Sequence, residues 1–311
     1  MVGIMGSDLL SEGAKSIEII NYSDHYFYPE RVDGLESLAI FPDGDFKRRS
    51  VPSSVWVFDE NGHSYQEWIL ADDVGCGMAV FALSKVDPND LADKIAEYLK
   101  GRNVLGRGNH FVDICSGFRS VDFDYSGHNI MVVHSDGKGI DNSIPSSVKE
   151  AKEKVTRAQK FRKELGCDLA RLVGAYHELI VDLPHNSVEI EDGKVVYRRG
   201  AIKVTPKRVH VLPSHLGAKI LWYTVDEDNM PPFASMPHGT GRKGPLSQVK
   251  ATTQDTERLR EKIYIPDLVK TASLKSEHPL CYNDPGKIFD KLKEYIVPLG
   301  EVKILSYVGK I

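Results

Sequence analysis

Residues 71–83 read ADDVGCGMAVFAL. The run 78–83 is apolar and bounded by glycine and serine, so it is predicted to be a buried strand; it is far too short to cross a bilayer. Two adjacent acids, Asp72 and Asp73, stand directly before it, with Gly75, Cys76 and Gly77 between. Carboxylates entering a buried strand are costly unless something pairs with them. An acidic turn held by the two glycines meets that need. So does a divalent cation shared by Asp73 and Cys76, three residues apart across a glycine.

Outward from this strand, the pattern alternates short apolar runs with polar turns. Strands are expected at 16–21, 55–58, 111–115, 131–135, 209–212, 219–223 and 302–307. A hairpin is expected with arms at 188–190 and 194–197 around Asp192-Gly193. Helices are expected at 89–100 (capped by Asn89 or Asp90), 145–165, 168–181, 246–264 and 283–296. The helix 145–165 carries charge on nearly every face and is read as a surface helix, with 168–181 packed behind it. With no internal repeat, linker or break, residues 1–311 are expected to form a single large α+β domain with mixed or antiparallel sheets.

The chain has 311 residues, with 40 Lys plus Arg against 44 Asp plus Glu and a net charge of −4. This is no coat protein for nucleic acid, although a local basic groove is compatible with it. Lys47, Arg48 and Arg49 are read as a solvated loop. The four cysteines, Cys76, Cys115, Cys167 and Cys281, form no CxxC pair, and no secretory leader is seen. They are read as reduced thiols of a soluble cytoplasmic protein with no membrane association.

Three histidines share the position type of Asp73 and Cys76: His110, His134 and His185 each begin or end a strand or loop near a glycine or proline. One histidine on an apolar strand is more often a hydrogen-bonded core residue. Together with a thiol and a carboxylate, three form a mixed O, N and S donor set suited to manganese, zinc or iron. Their spacing matches no HxxxH or CxxC pattern, so the set exists only if the fold gathers it. Residues 233–242, FASMPHGTGR, hold a fourth histidine of interest. Gly239 and Gly241 allow backbone to approach an anion, Arg242 offers a fork of donors, and a neutral His238 is a competent nucleophile toward phosphorus. A glycine-rich turn that happens to contain a histidine is the plain alternative.

In this order these words resemble the RtcB-type RNA ligases. The resemblance runs from about residue 42 to the C-terminus. It rests on Asp73-Val74-Gly75-Cys76-Gly77, Gly106-Arg107-Gly108-Asn109-His110-Phe111, His134-Ser135, His185-Asn186, Arg198-Arg199-Gly200-Ala201 and His238 to Arg242. Pro213, Ser214 and Gly217 match one family loop in part. Tyr282 and Lys310 look like the family's guanine-pocket tyrosine and lysine. Thr240 replaces an alanine, Lys138 an arginine, and Asp45 the histidine of a Pro-Asp-x-His loop.

The resemblance implies an RtcB-like fold around a central metal and nucleotide cleft. It implies two Mn²⁺ (another divalent metal being an alternative) held by Asp73, Cys76, His110, His134 and His185. His238 is implied to take GMP from GTP and pass it to an RNA 3′-phosphate, a 2′,3′-cyclic phosphate end being first hydrolysed to that 3′-phosphate; a 5′-hydroxyl then displaces GMP. The implied GTP contacts are Asn109, His185, Asn186, Pro213, Ser214, Ser235, His238, Gly239, Thr240, Gly241, Arg242, Tyr282 and Lys310; Arg198 and Arg199 are implied to touch RNA phosphates. The partners would be tRNA halves or broken RNA ends, with an archease-type activator an open question. A metal-dependent phosphoesterase, or an RNA-end-binding protein, would carry much the same residues.

Overall fold

The computed structural model describes residues 17–24, 32–44, 51–71, 73–106, 108–136, 141–244 and 248–311. Asp45, Lys47, Arg48, Arg49, Asp72, Arg107, Lys138 and Leu246 lie outside them. In chain order the elements are β1 (Glu18–Asn21), β2 (Leu35–Ile40), β3 (Ser54–Asp59), α1 (Glu67–Leu70), β4 (Gly77–Ser84), α2 (Pro88–Leu99), β5 (Phe111–Ser116), β6 (His128–Ser135) and α3 (Val148–Arg171). There follow β7 (His177–Pro184), β8 (Asn186–Glu191), β9 (Lys194–Arg199), β10 (Ala201–Lys203), β11 (His210–Leu212), β12 (Lys219–Val225) and β13 (Ser235–Pro237). Last come α4 (Thr253–Arg260), α5 (Thr271–Glu277), α6 (Pro285–Leu292) and β14 (Ile296–Val308).

The strands form a mixed α/β architecture with mostly antiparallel sheets. The larger sheet has the order β11-β12-β14-β5-β6-β4-β7 and is antiparallel throughout. A second has the order β1-β2-β3-β9-β8, with β1 and β2 parallel, and β10 pairs with β13 in a third. The apolar run after Cys76 becomes β4, buried along almost its whole length between β6 and β7. The hairpin forms as expected: Asp192 and Gly193 both take positive φ, the conformation a tight two-residue turn demands.

Helix α2 buries Leu91, Ile95 and Leu99 as the spacing predicts, but its cap is Asp87, whose side chain accepts from the Asn89 and Asp90 amides. Pro88 explains the shift, because proline fits the first helical position, where no amide is needed. Helix α3 runs for 24 residues, about 36 Å, and packs against β4, β6, β7 and β8, touching both large sheets. Its Gly166 is required by Phe81, whose ring carbon would lie 2.2 Å from an added Cβ.

Three expectations are corrected. The helix expected at 168–181 does not form: α3 ends at Arg171, Gly174 turns the chain at φ 64°, and β7 pairs along β4. The C-terminal helix stops at Leu292, and β14 begins at Ile296 rather than 302. The helix expected over 246–264 is only the eight residues of α4, whose Thr252 and Asp255 cap each other reciprocally.

Candidate metal centre and nucleophile

Strand register brings four donors to one end of the larger sheet. Cys76 precedes β4, His110 precedes β5, His134 lies near the end of β6, and His185 joins β7 to β8. Gly77 pairs with Ser135 on one side and Pro184 on the other, and Phe111 pairs with His134. The His185 amide donates to the Cys76 carbonyl at 2.9 Å, and the Gly75 amide to Asn186 at 2.9 Å.

The Cys76 Sγ is 3.4 Å from His110 Nε2 and 3.4 Å from His134 Nε2. One donor atom each from Cys76, His134 and His185 lies within 4.8 Å of the others. Ligands bonded to one ion at about 2.0–2.3 Å stand about 3–4 Å apart, so the spacing fits a shared cation. All four side chains are buried, and among the described residues the Nδ1 atoms of His110, His134 and His185 have no hydrogen-bond partner.

Burial keeps the imidazoles neutral, holding His110 down to about 4 and His134 and His185 well below the usual histidine range. Burial, reinforced by Asp73, pushes the Cys76 thiol up, against the pull of Arg162. The protein without metal thus holds neutral imidazoles and a protonated thiol, a set that a cation would complete by expelling one proton. Asp73 stands beside this group, and its Oδ2 accepts from Asn186 Nδ2 at 2.9 Å.

Arg162 of α3 braces the centre from beneath. Fully buried, it forms a two-pronged pair with Asp182 at 3.0 and 2.8 Å and donates to the Gly75 carbonyl at 2.9 Å and the Ser135 carbonyl at 3.4 Å. One guanidinium therefore ties the segment carrying Cys76 to the segment carrying His134. Gly77 is needed there, since an added Cβ would lie 2.7 Å from Arg162 Nη2.

His238 follows β13, whose pairing with β10 carries it to Gly200. The Gly200 carbonyl accepts from the His238 amide at 3.1 Å and lies 2.7 Å from His238 Nδ1. A carbonyl can only accept, so Nδ1 carries a proton, and in the neutral tautomer of the ring the lone pair is on Nε2. The ring lies 4.3 Å, centroid to centroid, from that of His185. Asp43 Oδ2 sits 3.5 Å from Nδ1 and is itself held by Ser53 Oγ at 2.9 Å. Gly241, at φ 66°, lets the chain pass Asp43, where an added Cβ would be 2.0 Å from the Asp43 carbonyl oxygen. Asp43 is absent from the expected site residues; its only sign in the sequence is its place in the Pro-Asp word that Asp45 ends.

Beside the centre, a cavity of about 40 Å³ is lined by Asn109, Asp113, Pro213, Ser214, Tyr282 and Tyr307, among others. The Tyr282 hydroxyl meets Asn109, Glu277 and Arg242. Gly239 passes close to the Pro213 carbonyl, while Thr240 is buried and its carbonyl accepts from Asn283. Asp113, absent from the expected set, is wholly buried with Oδ1 unpartnered, and burial pushes its carboxyl up. A lone acid in an otherwise apolar strand was its signal. Lys310 lines a different, open cleft, together with His110.

The expected phosphate contacts need correction. Arg198 is fully buried and donates to Ser235 Oγ, Glu189, Glu191 and the Phe233 carbonyl, so it neutralises two glutamates and cannot reach RNA. Ser235 is buried under that guanidinium and donates to the Phe233 carbonyl. Arg242 turns inward to Tyr282, Glu277 and the Ser276 carbonyl rather than toward an anion beside His238. The Asn186 amide is taken by Asp73 and by the Gly200 amide. Arg199 is half-buried and donates to the Leu70 carbonyl. Among the described residues no helix is long and apolar enough to cross a membrane. No family model matches the chain, and no curated protein matches it.

Proposed function

We propose that this chain is a GTP-dependent RNA ligase of the RtcB type, joining RNA 3′-phosphate or 2′,3′-cyclic phosphate ends to 5′-hydroxyl ends through a histidine–GMP intermediate. The observation that carries this reading is the contact between His238, poised with a free Nε2, and the buried cysteine–histidine cluster. Cys76, His110, His134 and His185, with Asp73 alongside, would hold Mn²⁺, which when bound draws negative charge from phosphate oxygens.

The chain's own residues supply the rest. His238 Nε2 attacks the α-phosphorus of GTP, the N–P bond forms and pyrophosphate leaves. The imidazole becomes cationic, and the Gly200 carbonyl and Asp43 are placed to stabilise it at Nδ1. A 2′,3′-cyclic end is first opened by water, which breaks the bond from phosphorus to O2′ and leaves a 3′-phosphate; an oxygen of the RNA 3′-phosphate then takes the GMP, returning the lone pair to Nε2. Finally the 5′-hydroxyl attacks the activated 3′-phosphorus and GMP departs. The cavity at Asn109, Asp113 and Tyr282 is the proposed entrance for the guanine, whose N–H edge suits an oxygen of the buried Asp113 carboxyl. A phosphoesterase is the second reading, favoured by the inward turn of Arg242.

The test is incubation with Mn²⁺ and α-labelled GTP. An acid-labile, alkali-stable protein label that disappears in His238→Ala, but persists in His177→Ala, supports the ligase. His177 lies at the opposite end of β7 from the centre. Hydrolysis of a cyclic phosphate with no label favours the esterase.

A further inference from the structure

The burial of Arg198 leaves open where an RNA strand would meet the protein, and the structure offers one surface of the right charge. A cleft of about 630 Å³ opens beside the centre, with His110 in its wall. Three cations line it, Arg102, Lys270 and Lys310, and no aspartate or glutamate does. Among the described residues none of the three forms an ion pair within 4.0 Å. On a chain of net charge −4, three cations in one cleft outnumber the buried Asp136 carboxyl packed behind its Gly106 wall, and they mark a local anion site.

The cleft is built rather than accidental. Helix α2 ends at Leu99, Gly101 turns the chain at φ 71°, and Arg102 is held with its guanidinium 4.3 Å above the Tyr98 ring. The Lys270 amide donates to the Lys310 carbonyl at 3.1 Å, so the approach to α5 and the end of the chain are fastened together with their lysines on one wall. The volume is that of a site for one ligand-sized group or a few linked ones. His110 is only 6 % exposed, so it is screened from an intact duplex, whose width exceeds that of a single strand.

We propose that this cleft binds the sugar–phosphate backbone of a single-stranded RNA end and leads its terminal phosphate to the centre. The inference rests on the RNA-ligase reading and extends it by naming the surface that receives the strand. Arg102 and Lys270 contact backbone phosphates, and affinity is largely independent of sequence.

The experiment compares the full chain with the double variant Arg102→Gln/Lys270→Gln. Both side chains are exposed, so the fold is undisturbed. Binding of a short fluorescent single-stranded RNA carrying a 3′-phosphate is followed by anisotropy over a salt series, beside GTP labelling of the same samples. The variant is expected to bind about tenfold more weakly, with a salt slope shallower by about 1.4, two phosphate contacts at about 0.7 each. GTP labelling should be unchanged. Equal affinity and slope in both proteins overturns the cleft as the strand site, as does a loss confined to GTP labelling, which would make it a triphosphate site. If neither protein is labelled but the RNA result is as expected, the ligase reading fails and the cleft stands.

Discussion

His238 and His185 face each other with ring centroids 4.3 Å apart and planes inclined by 37°. The two residues lie on different sheets' connections, one after β13 and the other between β7 and β8. A group bound by His185 and a group attacked by His238 therefore share one small volume.

Asp43 is expected to govern the reactivity of that imidazole. It faces Nδ1 at 3.5 Å and is fully buried in its side chain. Asp43→Asn should slow GTP labelling about 10- to 100-fold, the worth of one hydrogen bond or charge contact to a developing cation, with little change in GTP KM. Single-turnover labelling at saturating GTP measures it; an unchanged rate removes Asp43 from the mechanism.

Metal uptake should release about one proton per cation near neutral pH. The buried imidazoles are already neutral, whereas the Cys76 thiol is still protonated. Calorimetric titration with Mn²⁺ or Zn²⁺ in two buffers of different ionisation enthalpy counts the protons. Cys76→Ser should bind more weakly and release almost none. Two or more protons from the native chain would mean that the histidines start charged.

Removing Arg162 should separate folding from metal binding. Arg162→Leu strands Asp182 inside the protein and should cost about 3–5 kcal/mol. Arg162→Leu/Asp182→Leu should regain most of that stability, as read by urea denaturation, yet bind metal at least tenfold more weakly because Gly75 and Ser135 lose their common tie. Recovery of both properties would reduce Arg162 to a packing element.

Acid should weaken the chelator-treated protein through these histidines. Their folded pKa values lie below the unfolded value of about 6.5, so as pH falls the unfolded chain binds protons first. The stability is present above 6.5 and is lost downward, for His110 until about pH 4. Asp113, whose carboxyl is raised, works in the opposite direction, so the difference between variants is the clean measure. Between pH 6.5 and 5.5, His134→Gln should lose about 1 kcal/mol less than the native chain. Equal losses would show that His134 is not held neutral.

The gathering of Cys76, His134 and His185 was legible because each stands at the end of a strand near a glycine or proline, a signal that survives without knowing the fold. Asp43 was not legible, since its meaning comes from a loop almost two hundred residues further along that folds back onto it. Residues 177–184, HELIVDLP, satisfy helical and extended patterns alike, and pairing with β4 decided between them. The start of β14 was hidden by Pro298 and Gly300, which read as a break. A bulge opposite Trp222 and Tyr223 absorbs them within the sheet. The burial of Arg198 is equally tertiary: Glu189 and Glu191 face it only once the hairpin closes.

The peptide unit of Gly200 holds Asn186 with its N–H and His238 with its carbonyl. Through it, Asn186, which adjoins His185, and the His238 imidazole hang from a single hook. A fragment ending before that glycine would still contain Cys76, His110, His134 and His185, but nothing to hold an attacking group against them. The arrangement therefore needs the residues from Asp43 to His238 together, since the loop around His238 folds back onto the first third of the chain.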